Sequence, residues 1–351
     1  MSLTHYLTLG RSGLRVSPLC LGTMTFGTEW GWGADEATCG QVLDAYMQAG
    51  GNFLDTADLY TAGKSEEICG RLIRAGNLRD RLVVATKYTF NAEPGNANAG
   101  GNGRKNLYRA IEGSLRRLQT DYIDLYWMHI WDGVTPVEEV MASMNDLVRS
   151  GKIRYFGFSD VPAWYAARAQ SIAQFAHSEP AIALQLEYSL AERNIEREHI
   201  PAALEFGMGI CPWSPLASGF LTGKYKRGET GEGRLQELSS SGNPVFEKRT
   251  ERNWGILDAL LEASRQIGRP PAEVALNWVA TQRGVSSTII GVTKMSQLES
   301  NLRALDFAIP TEIRARLDQA SALERAHPYL MFDTAPFSDM LNGGVKVRGW
   351  R

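Results

Sequence analysis

The sequence predicts an α/β chain folded as a (β/α)8 barrel of the TIM type. Two observations carry that expectation. Between Tyr122 and Phe158 lies one complete βαβ unit, and the same alternation of strand-like and helical stretches repeats until eight of each have passed. A length of 351 residues fits one barrel with long loops. An open doubly wound sheet shows the same alternation, so the strand count is what favours the barrel.

In chain order, residues 6–10 and 14–19 flank Arg11-Ser12-Gly13 and read as a hairpin over 6–19 that closes one barrel end. Short β-rich runs follow at 19–22, 52–54, 82–86, 122–128, 153–158, 183–187, 209–213 and 287–290. Helical patterns separate them over 36–49, 66–75, 107–118, 137–149, 163–176 and 200–206. Two further pieces fill 254–282, broken at Pro270-Pro271, and a last helix over 294–305 follows the eighth strand. The pattern is clearest in 137–149, where Val137, Val140, Met141, Met144, Leu147 and Val148 form one apolar stripe. Thr135-Pro136-Val137-Glu138 reads as a capping box with proline at the first helical position, and Gly151 stands where a left-handed C-terminal cap falls. The stretches 88–103 and 215–252 exceed plain connections, and loops that long are usually functional or mobile. The tail 324–351 has no helical period, and residues 1–351 read as one barrel domain.

Composition excludes several functions. With 37 Lys and Arg against 39 Asp and Glu, the net charge of −2 argues against non-specific nucleic-acid binding or a polybasic membrane contact. No apolar run approaches the roughly 18 residues of a membrane span, and the first residues lack a signal-peptide pattern. Four scattered cysteines without a C-x-x-C pair suit a reduced, cytoplasmic protein. Five dispersed histidines predict no metal site, and no strand is followed by the G-x-G-x-x-G of a Rossmann dinucleotide site.

What remains is a set of polar residues at the C-terminal ends of successive strands, where barrels of this kind place their chemistry. Asp55 ends the strand 52–54 and Tyr60 follows it; Lys87 ends 82–86; His129 ends 122–128. Taken singly, each has an ordinary reading: a turn cap, a half-buried aromatic, a solvated charge, a core histidine. Taken together they predict a site. A buried lysine and aspartate would pair. The ammonium, set beside Tyr60, would favour phenolate and lower the tyrosine from about 10 toward working pH, making it a competent general acid. Trp30, Trp32, Tyr88, Phe90, Trp127 and Trp131 fall at the same face, and are read as a wide aromatic substrate pocket or as ordinary packing among loops.

Asp55-Thr56-Ala57-Asp58-Leu59-Tyr60 with Gly63-Lys64-Ser65-Glu66 resembles the D-T-A-x-x-Y…G-x-S-E signature of the aldo-keto reductases. Thr86-Lys87 and the segment Asp121 to His129 resemble that family's lysine and histidine segments, and the resemblance runs from about Tyr6 to Phe307. It implies a tetrad of Asp55, Tyr60, Lys87 and His129 that reduces aldehydes or ketones with NADPH, NAD(H) being the alternative cofactor. It further implies that Gly22, Thr23 and Met24 line the nicotinamide, with Ser159, Asp160 and Gln185 on its carboxamide and Trp213 stacked on the ring. Ser214, Leu216, Gly219, Leu221 and Lys224 would follow the pyrophosphate. Gly291, Thr293, Lys294, Gln297 and Asn301 would hold the adenosine, Lys294 and Thr293 taking the 2′-phosphate; Lys294, Gln297 and Asn301 share one polar helix stripe. The family commonly has Asn where this chain has Asp160, and a carboxylate cannot donate to the carboxamide oxygen. Members such as the potassium channel β subunits bind NADPH and turn over poorly, which is the alternative function. The expected partner is a small carbonyl substrate, with no nucleic acid or membrane and no legible oligomeric state.

Overall fold

The computed structural model describes residues 2–229, 234–239, 242–332 and 335–345. Two short antiparallel strands open the chain, β1 (Leu7–Thr8) and β2 (Arg15–Val16), with Leu7 opposite Val16. The parallel strands are β3 (Leu19–Gly22), β4 (Phe53–Asp55), β5 (Val83–Tyr88), β6 (Ile123–Met128), β7 (Ile153–Ser159), β8 (Ala183–Glu187), β9 (Gly209–Trp213) and β10 (Thr288–Gly291). They form one 8-stranded sheet in which β10 lies beside β3 and the others follow in chain order. Ile210 of β9 bridges to Val285, just ahead of β10, so the sheet curls nearly to closure. This is the expected barrel with its hairpin.

Strands enclosed on both faces read as continuous apolar runs, and every residue of β3, β4 and β5 is buried. Alternate side chains serve two cores. Leu21, Val84, Tyr126 and Phe156 face the helices, whereas Cys20, Phe53, Val83, Leu125 and Trp127 fill the barrel interior beside Leu9 and Val16 of the hairpin region. The hairpin therefore plugs the N-terminal mouth and leaves the opposite mouth for the site.

Trp127 sets a local limit. It stands in register beside Gly157 of β7, and a Cβ there would lie 2.4 Å from the indole Cζ3 and 2.6 Å from the Ala183 carbonyl oxygen. Gly157→Ala should therefore cost about 1–3 kcal/mol of stability through overpacking. A denaturant midpoint equal to the parent's would show that the indole yields freely.

The expected helices are present as Glu36–Gln48, Lys64–Ala75, Arg104–Leu118, Val137–Arg149, Ala163–Ala176, His199–Phe206, Glu251–Ile267, Pro271–Ala280 and Met295–Arg303. Gly151 is left-handed as expected, with φ 75°. The capping box is not formed. Pro136 itself is the capping residue, and the Thr135 hydroxyl instead donates to Asp132 Oδ2 at 2.6 Å. Asp132 also accepts from the backbone N–H groups of Asn102, Val134 and Thr135, and this set of bonds holds the Thr135 side chain against Asp132. A further helix, Thr311–Ala320, was not expected from the pattern. The tail holds two short helices, Tyr329–Phe332 and Ala335–Asn342, where none was expected. Phe332, Met340 and Leu341 are exposed there, so no buried stripe marks the sequence. Residues 333–334 and 346–351 of the tail, and 230–233 and 240–241 of the long loop, lie outside the described residues.

Candidate active site

β4 delivers Asp55 and β5 delivers Lys87 to the open mouth, with side chains 2% and 0% exposed. Lys87 lies inside its strand rather than after it, because β5 continues to Tyr88. Its ammonium has three protons, and each has an acceptor: Asp55 Oδ2 at 2.5 Å, Thr56 O at 2.9 Å and Tyr60 Oη at 2.9 Å. Gln185 Nε2 donates to the other Asp55 oxygen at 3.0 Å. Burial works against the charge on Lys87, but the Asp55 carboxylate and the Tyr60 oxygen outweigh it and hold the lysine above its ordinary range.

Tyr60 opens a short 3₁₀ turn, Tyr60–Gly63, in which Thr61 and Ala62 are left-handed at φ 45° and 53°. The turn is pinned by Thr61 Oγ1, which donates to Phe26 O at 3.1 Å and accepts from Ser65 N at 3.0 Å. His129 follows β6, and its ring stands edge-on to Tyr60 at 5.9 Å and to Phe90 at 4.8 Å. Burial and the Lys87 charge push its pKa well below the ordinary value, so the imidazole is neutral. Its buried Nδ1 has no hydrogen-bond partner. A neutral imidazole and a phenol held by an ammonium can both offer a proton to one oxygen placed between them.

These groups floor a cleft of about 830 Å³ that runs across the strand ends. Trp30, Trp32, Leu59, Phe90 and Ile130 line it, as do Gly22, Met24, Ser159, Asp160, Gln185 and Trp213. Ser214, Leu216, Gly219 and Lys224 line it too, with Gly291, Thr293, Lys294, Gln297 and Asn301. Asp160 Oδ1 accepts from the Trp213 indole Nε1 at 3.1 Å. Gln297 is turned back on its own helix start, its Oε1 accepting from Thr293 N at 2.7 Å and Thr293 Oγ1 at 3.1 Å.

Several expected residues lie elsewhere. Thr23 and Leu221 are buried beside the cleft rather than lining it, and Lys87 sits behind Tyr60. Tyr88 points away from the barrel interior and stacks on Tyr126 at 5.2 Å, since strand alternation that turns Lys87 inward turns its neighbour outward. Trp127 is inside the barrel beneath the site, and Trp131 packs edge-on against Trp164 at 5.5 Å. None of these three aromatics lines the cleft. Leu59, Ile130, Glu237 and Phe246 line it without having been anticipated. The last two come from the long loop 215–252, whose length was the only signal. Just beyond Phe246, Lys248 is paired with Glu187 at 2.7 Å, both nearly buried, which ties that loop to the end of β8.

A barrel whose buried Asp55–Lys87 pair bonds Tyr60 in the wall of one large cleft is the architecture of a two-substrate enzyme. The family model of the aldo/keto reductase family matches residues 18–322, and the chain belongs to that family. It is 34% identical over 336 residues to an aryl-alcohol dehydrogenase [NADP(+)] of Phanerodontia chrysosporium, covering 91% of this chain and 86% of that protein. A norsolorinic acid reductase of Aspergillus flavus is 33% identical, covering 94% of this chain and 84% of its own length. A probable voltage-gated potassium channel subunit beta of Oryza sativa subsp. japonica is 35% identical, covering 92% and 98% respectively.

Proposed function

We propose that the chain is an NADP-dependent aldo-keto reductase that reduces aldehydes and ketones to alcohols, one barrel domain carrying the whole reaction. The observation that carries this is the Lys87 ammonium bonded at once to Asp55 and Tyr60 beside a neutral His129. The cleft fits an extended dinucleotide: it has about 830 Å³ of space, and it is lined by His129 of the tetrad and by the cationic Lys224 and Lys294. When bound, NADPH supplies the hydride. Tyr60 gives its proton to the carbonyl oxygen, Lys87 stabilises the charge left on the phenol oxygen, and Asp55 positions Lys87. His129 donates a second hydrogen bond to the substrate oxygen. Ser159, Asp160, Gln185 and Trp213 hold the nicotinamide end.

The Trp30 and Trp32 rings, 5.5 Å apart, and Phe90 support flat aromatic or apolar carbonyl substrates. The Phanerodontia relative's name supports both aromatic substrates and NADP(+). Among the described residues no helix is long and apolar enough to cross a membrane, and all four cysteines are free thiols, which supports placement in the cytoplasm.

Steady-state NADPH oxidation with a panel of aldehydes tests the activity. The rice relative favours one second reading, a nucleotide-binding regulatory subunit with little turnover. NADPH binding without oxidation of any aldehyde would select it. Cofactor choice has its own test. Lys294 lines the cleft and caps the helix Met295–Arg303 with its backbone only. A charge-assisted phosphate contact is worth about 1.5–3 kcal/mol, so Lys294→Ala should weaken NADPH roughly ten- to a hundredfold. NADH should be unaffected. Equal losses for the two nucleotides would remove Lys294 from the 2′-phosphate.

A further inference from the structure

The long connection 88–103 reaches the site through one residue. Asn102 is fully buried, and its polar groups join the connections that follow β5 and β6. Its Oδ1 accepts from the Thr89 hydroxyl at 2.8 Å, its Nδ2 donates to Ile130 O at 3.0 Å, and its backbone N–H donates to Asp132 Oδ2 at 2.8 Å. The Thr89 hydroxyl oxygen in turn accepts from the backbone N–H of His129 at 3.3 Å, a proton shared with Tyr88 O at 2.9 Å. Thr89, Asn102 and Ile130 thus close a ring of hydrogen bonds around the main chain at His129.

The imidazole depends on that support. Its Nδ1 is buried with no hydrogen-bond partner, so no bond at that atom sets the direction of the ring. Orientation falls to the main chain and to the rings that stand edge-on to it, Tyr60 at 5.9 Å and Phe90 at 4.8 Å. Phe90 adjoins Thr89, so one clamp places both the donor ring and a ring that steadies it. Thr89 itself is held at φ 139°, a conformation that a β-branched residue keeps only where its surroundings enforce it. Asn102 on its hydroxyl and Gly101 N, which donates to its carbonyl at 2.7 Å, supply that enforcement.

We propose that Asn102 is a positioning residue for carbonyl reduction, clamping Thr89 to Ile130 and so aiming the His129 imidazole at the substrate oxygen. The inference rests on the reductase reading above, in which His129 donates to that oxygen. Asn102 does not line the cleft, so it acts on the chemical step and not on nucleotide binding. An asparagine suits the place because one short, neutral side chain offers an acceptor to Thr89 and a donor to Ile130 O at once.

Single-turnover NADPH oxidation with the fastest aromatic aldehyde of the panel, beside NADP⁺ dissociation constants, tests this. Asn102→Ala should lower the rate about ten- to a hundredfold, the scale on which a misplaced group costs catalysis, and leave NADP⁺ affinity within about twofold. The decisive background is His129→Phe, which keeps a ring in place and removes the donor. Residues that act as a unit are non-additive, so adding Asn102→Ala there should cost less than about threefold more. Losses that multiply would give Asn102 a general structural role and overturn the inference, as would Asn102→Ala reacting as fast as the parent. A second pair of variants answers even if Asn102→Ala does not fold. Thr89→Val removes the hydroxyl in nearly the same shape and should be slowed about as much, whereas Thr89→Ser keeps it and should retain most of the parent rate. Equal rates for Thr89→Val and Thr89→Ser overturn the clamp and leave the reductase reading standing. A parent that oxidises NADPH with no aldehyde of the panel overturns that reading and this inference with it.

Discussion

Replacing Tyr60 with phenylalanine is expected to lower kcat roughly 10²- to 10⁴-fold, the usual cost of losing a general acid, while nucleotide affinity stays within experimental scatter. The change is small in space and large in chemistry. The ring keeps its place on the pinned turn beside His129, and Lys87 keeps two of its three acceptors, Asp55 and Thr56 O. Only the hydroxyl that faces the cleft is lost. Single-turnover kinetics with excess NADPH isolate the chemical step, and a variant retaining more than about a tenth of the parent rate would refute the assignment.

Lys87→Met should be comparably damaging to the rate and should also unfold the protein more easily. It strands the Asp55 carboxylate, 2% exposed, with Gln185 Nε2 as its remaining side-chain donor. Breaking a buried pair by removing one partner typically costs about 3–5 kcal/mol, whereas replacing both is often close to neutral. The double variant Asp55→Asn/Lys87→Met should therefore regain most of the lost stability and none of the activity. Lys87 is held above its ordinary range, so its contribution is complete at neutral pH and fades only in strong alkali as pH rises past its folded value. A single variant as stable as the parent, measured by denaturant unfolding at pH 7, would show that the pair contributes nothing to the fold.

The barrel was legible because enclosed parallel strands are spelled as apolar runs and their helices as stripes, and both patterns are local. Thr311–Ala320 escaped notice because only Ile313 and Leu317 are buried on it, too narrow a stripe to read. Asp55, Tyr60, Lys87 and His129 were legible from their places at successive strand ends, and the structure brings them together. The aromatic pocket was read less well. Tyr88 and Trp127 lie on the strands that carry the tetrad, yet one points outward and the other lies beneath the floor. Proximity in sequence to a strand end does not decide which side of a barrel a ring occupies. The Thr135 cap failed for a similar reason: Asp132, three residues away, holds that side chain to itself, and such an outcome is settled by geometry alone. Glu187 with Lys248 joins residues far apart in the chain, and no local pattern announces such a pair.

Trp30, Trp32, Phe90 and Ile130 all sit on connections after β3, β5 and β6, while Asp55 and Lys87 are locked into strands. The division separates what can drift from what cannot. Substitution of those four side chains can re-aim the enzyme at new carbonyl compounds while the Lys87 bonds to Asp55, Thr56 O and Tyr60 stay in place, since none of these bonds involves them. A library randomised at these four positions is thus a natural starting point for altering selectivity, with the strands left untouched as a fixed chassis.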